Sequence, residues 1–237
     1  MKKNIFFIIL SIFIVITIVI AVFEAIDFLG LNYYSLPSDR YATQQEVEEY
    51  VRRNIGLNDF EFISSEGEGK YEKHYWTFRE KNERGIVFKV GEVYSPVNWI
   101  SIEHYENDCN YDIEVLKDYI SNHRIPCNGY FSTEEGAYAS SEVTFFGRKG
   151  GIVVHYRDDN LKQITKELQT YIQEFYEYNK SITDSNRNPR VPIIFKKENS
   201  KYSTNIYIGY TIELSELTTK GVRRIINFEK KYIENEK

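Results

Sequence analysis

The residues best equipped for chemistry lie close together, between positions 103 and 127. Cys109 and Cys127 are the only cysteines of the chain. Two thiols can be bridged, buried or metal-bound, and the compartment decides which. A bridge would close a loop of about 19 residues and stabilise by ~3 kcal/mol through the lost freedom of the unfolded chain. Between them lies a helical pattern of about 11 residues, roughly 16 Å long, whereas bridged Cα atoms lie within about 7 Å. The flanking residues 109–111 and 123–127 must then fold back along the helix, which at ~3.3 Å per residue they can do. The expectation is a Cys109–Cys127 disulfide.

Two metal readings compete for the same stretch. His104, Cys109, His123 and Cys127 stand in the spacing H-x4-C-x13-H-x3-C, the ligand inventory of a structural zinc site in scrambled order. Such a site needs thiolates, which an oxidising compartment removes. Asp108, Asn110 and Asp112 offer oxygens at alternate positions, as calcium loops do. Ile113, however, stands where the loop needs glycine, and Tyr119 where it needs the closing glutamate. Asn110 or Asp112 reads more simply as the N-cap of the following helix. Neither metal is preferred over the disulfide, and no cofactor is expected.

Catalytic signatures are sparse. The sequence has no G-x-S-x-G elbow, H-E-x-x-H helix or G-x-G-x-x-G turn. Glu103 beside His104, and Glu134 beside Glu135, are acid–base pairs that only convergence in space would make useful. Gly147-Arg148-Lys149-Gly150-Gly151 combines backbone donors with two cations but sits between strand patterns, so it reads as a hairpin turn.

These residues must be held by a scaffold, and composition says which kind. The 237 residues carry 30 Lys+Arg against 35 Asp+Glu, a formal net charge of −5. That balance disfavours a nucleic-acid binder, which carries a basic face to neutralise phosphates. Of the first 30 residues 22 are hydrophobic, which leaves about 38% hydrophobic in the remainder, normal for a globular domain. Ile5 to Phe23 runs without a charge for 19 residues. As a helix it spans about 28 Å, close to a ~30 Å hydrocarbon core. A cleaved signal is the alternative, with Val19-Ile20-Ala21 as a weak cleavage site. Lys2 and Lys3 precede the run and Glu24 and Asp27 follow it, so the amino end stays cytoplasmic and the rest lies outside. The expected organisation is a cytoplasmic end over 1–4, a single-pass signal anchor over 5–23, a juxtamembrane linker over 24–42 and an extracytoplasmic domain over 43–237.

Within that domain, Thr43 and Glu46 form a capping box, Ala42 and Val47 a hydrophobic staple, and Gly56 a C′ residue, which together predict a first helix. The period then falls to two. Hairpins are predicted at His74–Arg79 with Ile86–Val90, at Glu142–Phe146 with Gly151–Tyr156, and at Val191–Lys196 with Tyr202–Leu214. A further strand over Trp99–Tyr105 follows a break at Pro96. Helices are predicted over about 112–122, 159–178 and 218–233. The fold class is therefore α+β: helix-hairpin three times with a closing helix, and largely antiparallel sheet. Thr77-Phe78 before Gly85-Ile86-Val87 echoes Thr144-Phe145 before Gly151-Ile152-Val153, so duplication of 43–95 and 112–157 is one explanation and convergent hairpin chemistry the other.

The chain beyond residue 30 holds 32 of its 37 aromatic residues, all 20 tyrosines among them. Tyrosine serves cores and recognition surfaces alike. The reading is a membrane-anchored extracytoplasmic binding or interaction module with a protein or envelope-polymer partner. A hydrolase-like envelope enzyme whose site leaves no motif is the alternative. Protease added to intact cells expressing the full chain should digest the domain beyond residue 24; a protected carboxyl end, or a mature chain beginning at Val22, would contradict the anchored topology.

Overall fold

The computed structural model describes residues 40–67, 74–97, 102–132, 150–183, 185, 187–200, 203–209 and 211–235. The apolar run at 5–23, the linker before residue 40 and the strand expected at 142–146 lie outside them. Among the described residues, no helix is long and apolar enough to cross a membrane.

The first helix, α1 (Gln44–Tyr50), starts where the sequence marks it. The Thr43 side chain accepts from the Glu46 N–H while the Glu46 carboxylate accepts from the Thr43 N–H, a reciprocal capping box. Arg40 grips the same carboxylate at 2.7 and 2.9 Å and, with the Thr43 N–H, holds the Glu46 pKa down at about 2. The helix runs on as one π turn, Val51–Ile55, and Gly56 ends it at φ 75°, a left-handed conformation that glycine adopts without penalty.

Four strands follow as an antiparallel meander: β1 (Phe60–Glu66), β2 (His74–Glu80), β3 (Val87–Val97) and β4 (Ile102–Cys109). The predicted hairpin is β2–β3, with Phe78 opposite Phe88 and Trp76 opposite Val90. The expected break at Pro96 does not occur. Pro96 continues β3 opposite Glu103 of β4, beyond the stretch of β3 that β2 covers, so its missing N–H falls on an edge where no ladder bond is required.

Helix α2 (Tyr111–Asn122) comes next, followed by β5 (Gly129–Ser132), β6 (Gly151–Tyr156), α3 (Leu161–Ile182), β7 (Val191–Lys197), β8 (Ser203–Ile208) and α4 (Thr219–Asn235). The second sheet has the order β5-β6-β7-β8. Here the fold departs from serial hairpins. The described antiparallel partner of β6 is β5, and β6 pairs with β7 in parallel across the α3 crossover. β7 and β8 form the predicted antiparallel pair, although β8 ends at Ile208, short of the expected Leu214. The class is α+β, with one antiparallel and one mixed sheet. Val87 and Gly151-Ile152-Val153, from the two echoes, thus enter differently built sheets.

One continuous cluster of buried side chains joins all layers, from Val47 and Ile55 of α1 through Trp76, Phe78 and Phe88, Tyr111 and Leu116 of α2, and Leu168 and Phe175 of α3, to Ile193, Ile206 and Val222. Within it β8 alternates as predicted: Thr204, Ile206 and Ile208 are buried, whereas Ser203, Asn205 and Tyr207 are partly exposed. Ile208→Asp buries an unpaired carboxylate and should cost roughly 4 kcal/mol in urea unfolding, against under about 1 kcal/mol for Tyr207→Asp on the other face. Equal costs, or the reverse order, would show the register to be wrong.

Candidate functional site

The two buried acids among the described residues, Glu80 and Asp112, are spent on the scaffold. Glu80 ends the in-facing series Trp76, Phe78, Glu80 and is 1% exposed. Arg84, in the β2–β3 turn, clasps it through two bonds of 2.9 and 2.5 Å. The Tyr111 hydroxyl donates to the same carboxylate at 2.7 Å, and Arg84 donates to Asn179 Oδ1 of α3 at 3.0 Å. Burial, followed by the Glu80 charge, pushes the Tyr111 pKa well above the phenol range. One residue along α2, Asp112 accepts from Arg187 at 2.5 and 3.3 Å. Arg187 and Ser185 also bond the Ile55 carbonyl at the end of the π turn, at 3.5 and 2.9 Å. Consecutive residues at the start of α2 thus tie it to β2, α3 and α1.

The aromatic load divides in the same way. Tyr119 packs on Tyr171, Phe175 and Tyr178 between α2 and α3, with ring centroids 5.1–5.3 Å apart. Burial raises the pKa of Tyr171 and Tyr176. Most of the tyrosines placed by the structure are packing residues.

The outward faces of the two sheets differ. On the first, Glu61 pairs with Arg79 at 3.2 Å and Lys89 reaches Glu66 at 3.5 Å. The Lys89 ammonium also lies 5.7 Å from the Tyr75 ring centroid, and that ring covers Gly91, where a Cβ would meet it at 2.6 Å. Among its described side chains, this face pairs its charges. On the second sheet the register sets Tyr130, Val153, Ile194 and Asn205 in one row across the strands, with His155, Lys196 and Ser203 in the next. The floor is apolar: Val153 is buried yet stands outside the main core cluster. Above it Tyr130 is 45% exposed, and its ring lies 5.9 Å from the His155 ring at 20° from parallel. Among the described residues, the Lys196 and Asn205 side chains have no hydrogen-bond or ion-pair partner. Gly151 keeps the next row flat, since a Cβ there would come within 2.9 Å of the Pro192 carbonyl. The face thus offers two aromatic rings, one ammonium and one amide with donor and acceptor, on a rigid platform.

An open groove runs along α3, where Arg124 and Pro126 face Lys166, Glu167, Tyr171 and Glu174. Its polar groups are partly engaged internally, with the Tyr171 hydroxyl donating to the His123 carbonyl at 2.9 Å and Gln163 to Glu167 at 2.7 Å.

The expected disulfide is not formed; Cys109 and Cys127 are separate, half-buried thiols. Cys109 ends β4 before α2 begins, and a 12-residue α2 separates it from Cys127, about 18 Å of helix. After α2 the chain reaches Cys127 before β5 begins. It turns at Pro126, with Cys127 at φ 53° and a Gly129 N–H to Pro126 carbonyl bond of 3.3 Å, and enters β5. The zinc set is dispersed for the same reason. His123 stacks on Tyr119 at 4.1 Å with Nδ1 against the Tyr119 carbonyl at 2.9 Å, beyond the opposite end of α2 from Cys109. Among the described residues, no group of three His, Cys, Asp or Glu could hold a metal ion. Of the calcium candidates, Asp112 is engaged by Arg187. Asn110 occupies the N-cap position but makes no side-chain cap bond; its Oδ1 accepts from the Lys89 N–H at 2.7 Å. The side chains of Glu103, His104 and Asp108, and residues 134, 135 and 147–149, lie outside the described residues.

Sequence reasoning missed the Glu80–Arg84 clasp and the Tyr130–His155 face. The first had a signal: an acid at the in-facing position of a strand with a cation four residues on. The second depended on β5, a four-residue strand too short to show periodicity. Compared with known proteins, the chain matches no family model, no curated protein and no solved structure.

Burial, with the Glu167 charge behind it, pushes the Cys127 thiol up to about 11. Because the thiolate is the reactive form, native-state alkylation of Cys127 should be slow at neutral pH and continue to climb beyond the pH where a free thiol levels off. In denaturant both thiols should label without prior reduction; a requirement for reductant would show a bridge.

Proposed function

We propose that the protein is a membrane-anchored, extracytoplasmic binding module that presents the outward face of its second sheet to a protein or envelope-polymer partner. The observation that carries this reading is the contrast between the two sheets. Among the described side chains, one outward face pairs its charges as Glu61–Arg79 and Lys89–Glu66, whereas the other leaves the Tyr130–His155 ring pair, Lys196 and Asn205 turned outward. Rings with polar groups at their margin are what recognition surfaces use, because stiff aromatic area costs little entropy to fix and the polar groups set orientation. The scaffold suits the role: the buried charges are paired within the core, and the face is built on strands rather than loops.

The anchor follows from the 19-residue charge-free run over 5–23 with Lys2 and Lys3 before it. Such a run holds the domain at the outer surface of the cell membrane by a single pass, with its amino end in the cytoplasm.

The face can be tested in living cells with a photo-crosslinking amino acid placed at Asn205, and at Arg79 as the control on the first sheet. The reading predicts a discrete adduct from position 205 and none from 79, and its loss on adding Tyr130→Ser and Lys196→Glu. No adduct at 205, or equal adducts at both positions, would contradict it.

A further inference from the structure

The open face of the second sheet is small, and its size limits what it can hold. Its two outward rows, from Tyr130 to Asn205 and from His155 to Ser203, together cross four strands. A strand spacing of ~4.8 Å and a rise of ~3.3 Å per residue make this a platform of roughly 14 by 7 Å, on the order of 100 Å². A stable protein interface takes about 800 Å² from each partner. A polymer that repeats one small contact along its length, met by many anchored copies of the chain, does not need that area.

The groups on the platform narrow the choice further. The Tyr130 and His155 ring centroids are 5.9 Å apart, whereas a planar group held between two rings needs about 7 Å, twice the ~3.5 Å carbon contact. No flat ligand enters between them, so a partner's ring must lie across the exposed Tyr130. Lys196 brings a cation without a partner among the described residues, and neither row holds an acid. The next acid along this stretch, Glu198, follows the end of β7. The Asn205 and Ser203 side chains are also without partners among the described residues, and each can both donate and accept. The platform thus combines aromatic area, one unmatched cation and groups that match hydroxyls in either direction.

We infer that this face binds a polysaccharide of uronic acids. A pyranose ring has a flat C–H face that packs on an aromatic ring, and hydroxyls at its margin that donate and accept alike. A chain laid across the strands sets one sugar on Tyr130 and a later one beside Asn205 and Ser203, with Lys196 of β7 between them. Charge complementarity makes the polymer acidic. The carboxylate of a uronic acid is an equatorial substituent, so it reaches sideways to Lys196 while its ring stays flat on the platform. A phosphodiester between sugars does not have that placement. The inference rests on the reading of this face as the binding surface and adds the chemistry of what it binds.

The test is affinity electrophoresis of the full chain in mild detergent, through gels containing polygalacturonate, its carboxyl-reduced neutral form, or polyglutamate. Because the chain carries a net charge of −5, a polyanion repels it except at a matching surface. The inference predicts retardation by polygalacturonate several-fold stronger than by either other polymer. Lys196→Glu and Tyr130→Ser should each remove most of it with the melting temperature unchanged, while Arg79→Glu leaves it intact. Should either variant unfold, Asn205→Ala decides, and must weaken the retardation several-fold. Equal retardation by polyglutamate, none by polygalacturonate, or retardation indifferent to Lys196, Tyr130 and Asn205 would overturn the inference. Crosslinking from position 205 separates it from the reading on which it rests. A discrete protein adduct without retardation refutes the polysaccharide and upholds the binding face, whereas the absence of both refutes both.

Discussion

The fold depends on a carboxylate placed where a hydrophobic residue would be easier. Glu80 occupies the in-facing end of β2, and its side chain is fully buried, as that of Arg84 nearly is. Neither charge can remain in the interior alone, because desolvation of an unpaired ion costs several kcal/mol. Burial works against the Arg84 charge, yet the Glu80 carboxylate outweighs it and holds the guanidinium above its ordinary pKa. The pair also draws in Tyr111 and Asn179, and Asn179 is left with an unpartnered amide nitrogen. An ion pair that could be replaced by packed hydrocarbon gains little stability. What it gains here is position, since the bonds have directions that apolar contacts lack.

Position passes from there to the second sheet. Tyr111 and Asp112 open α2, and each is held by a charged partner from a distant part of the chain. Helix α2 is therefore fixed at its start, and its far end leads through the Pro126 turn into β5. The flatness of the Tyr130–His155 face depends on β5 lying in register with β6, which is how a clasp in the first sheet comes to support a surface on the second. Helix α4, seated through Val222, extends from the same core.

Local chemistry was the legible part of the sequence. Thr43, Glu46 and Gly56 mark both ends of the first helical segment because caps act within one turn. The alternation in His74–Arg79 and in Ile206–Ile208 gave strands whose faces are correct. Partners across long separations were not legible. β6 reads Gly-Ile-Val-Val and is buried at four successive positions, the apolar run of a central strand with a neighbour on each side, one of them parallel; read as half a hairpin it calls for a neighbour at 142–146, outside the described residues. Lys81–Gly85 joins the two strands of the predicted β2–β3 hairpin, but a turn can also deliver a buried arginine. The cysteine pair was judged by compartment and chain reach, and the turn at Pro126 decided otherwise. The open face of the second sheet was beyond reach without the position of β5.

The most direct test of this account is a double-mutant cycle on the clasp, measured by urea unfolding of Glu80→Gln, Arg84→Met and the two combined. If the pair positions α2 as described, each single change should cost roughly 3–5 kcal/mol by stranding a buried partner, and the double variant should recover a large part of that loss. Single costs below about 1 kcal/mol, or costs that simply add, would show that the two charges are not coupled and that the fold does not depend on them.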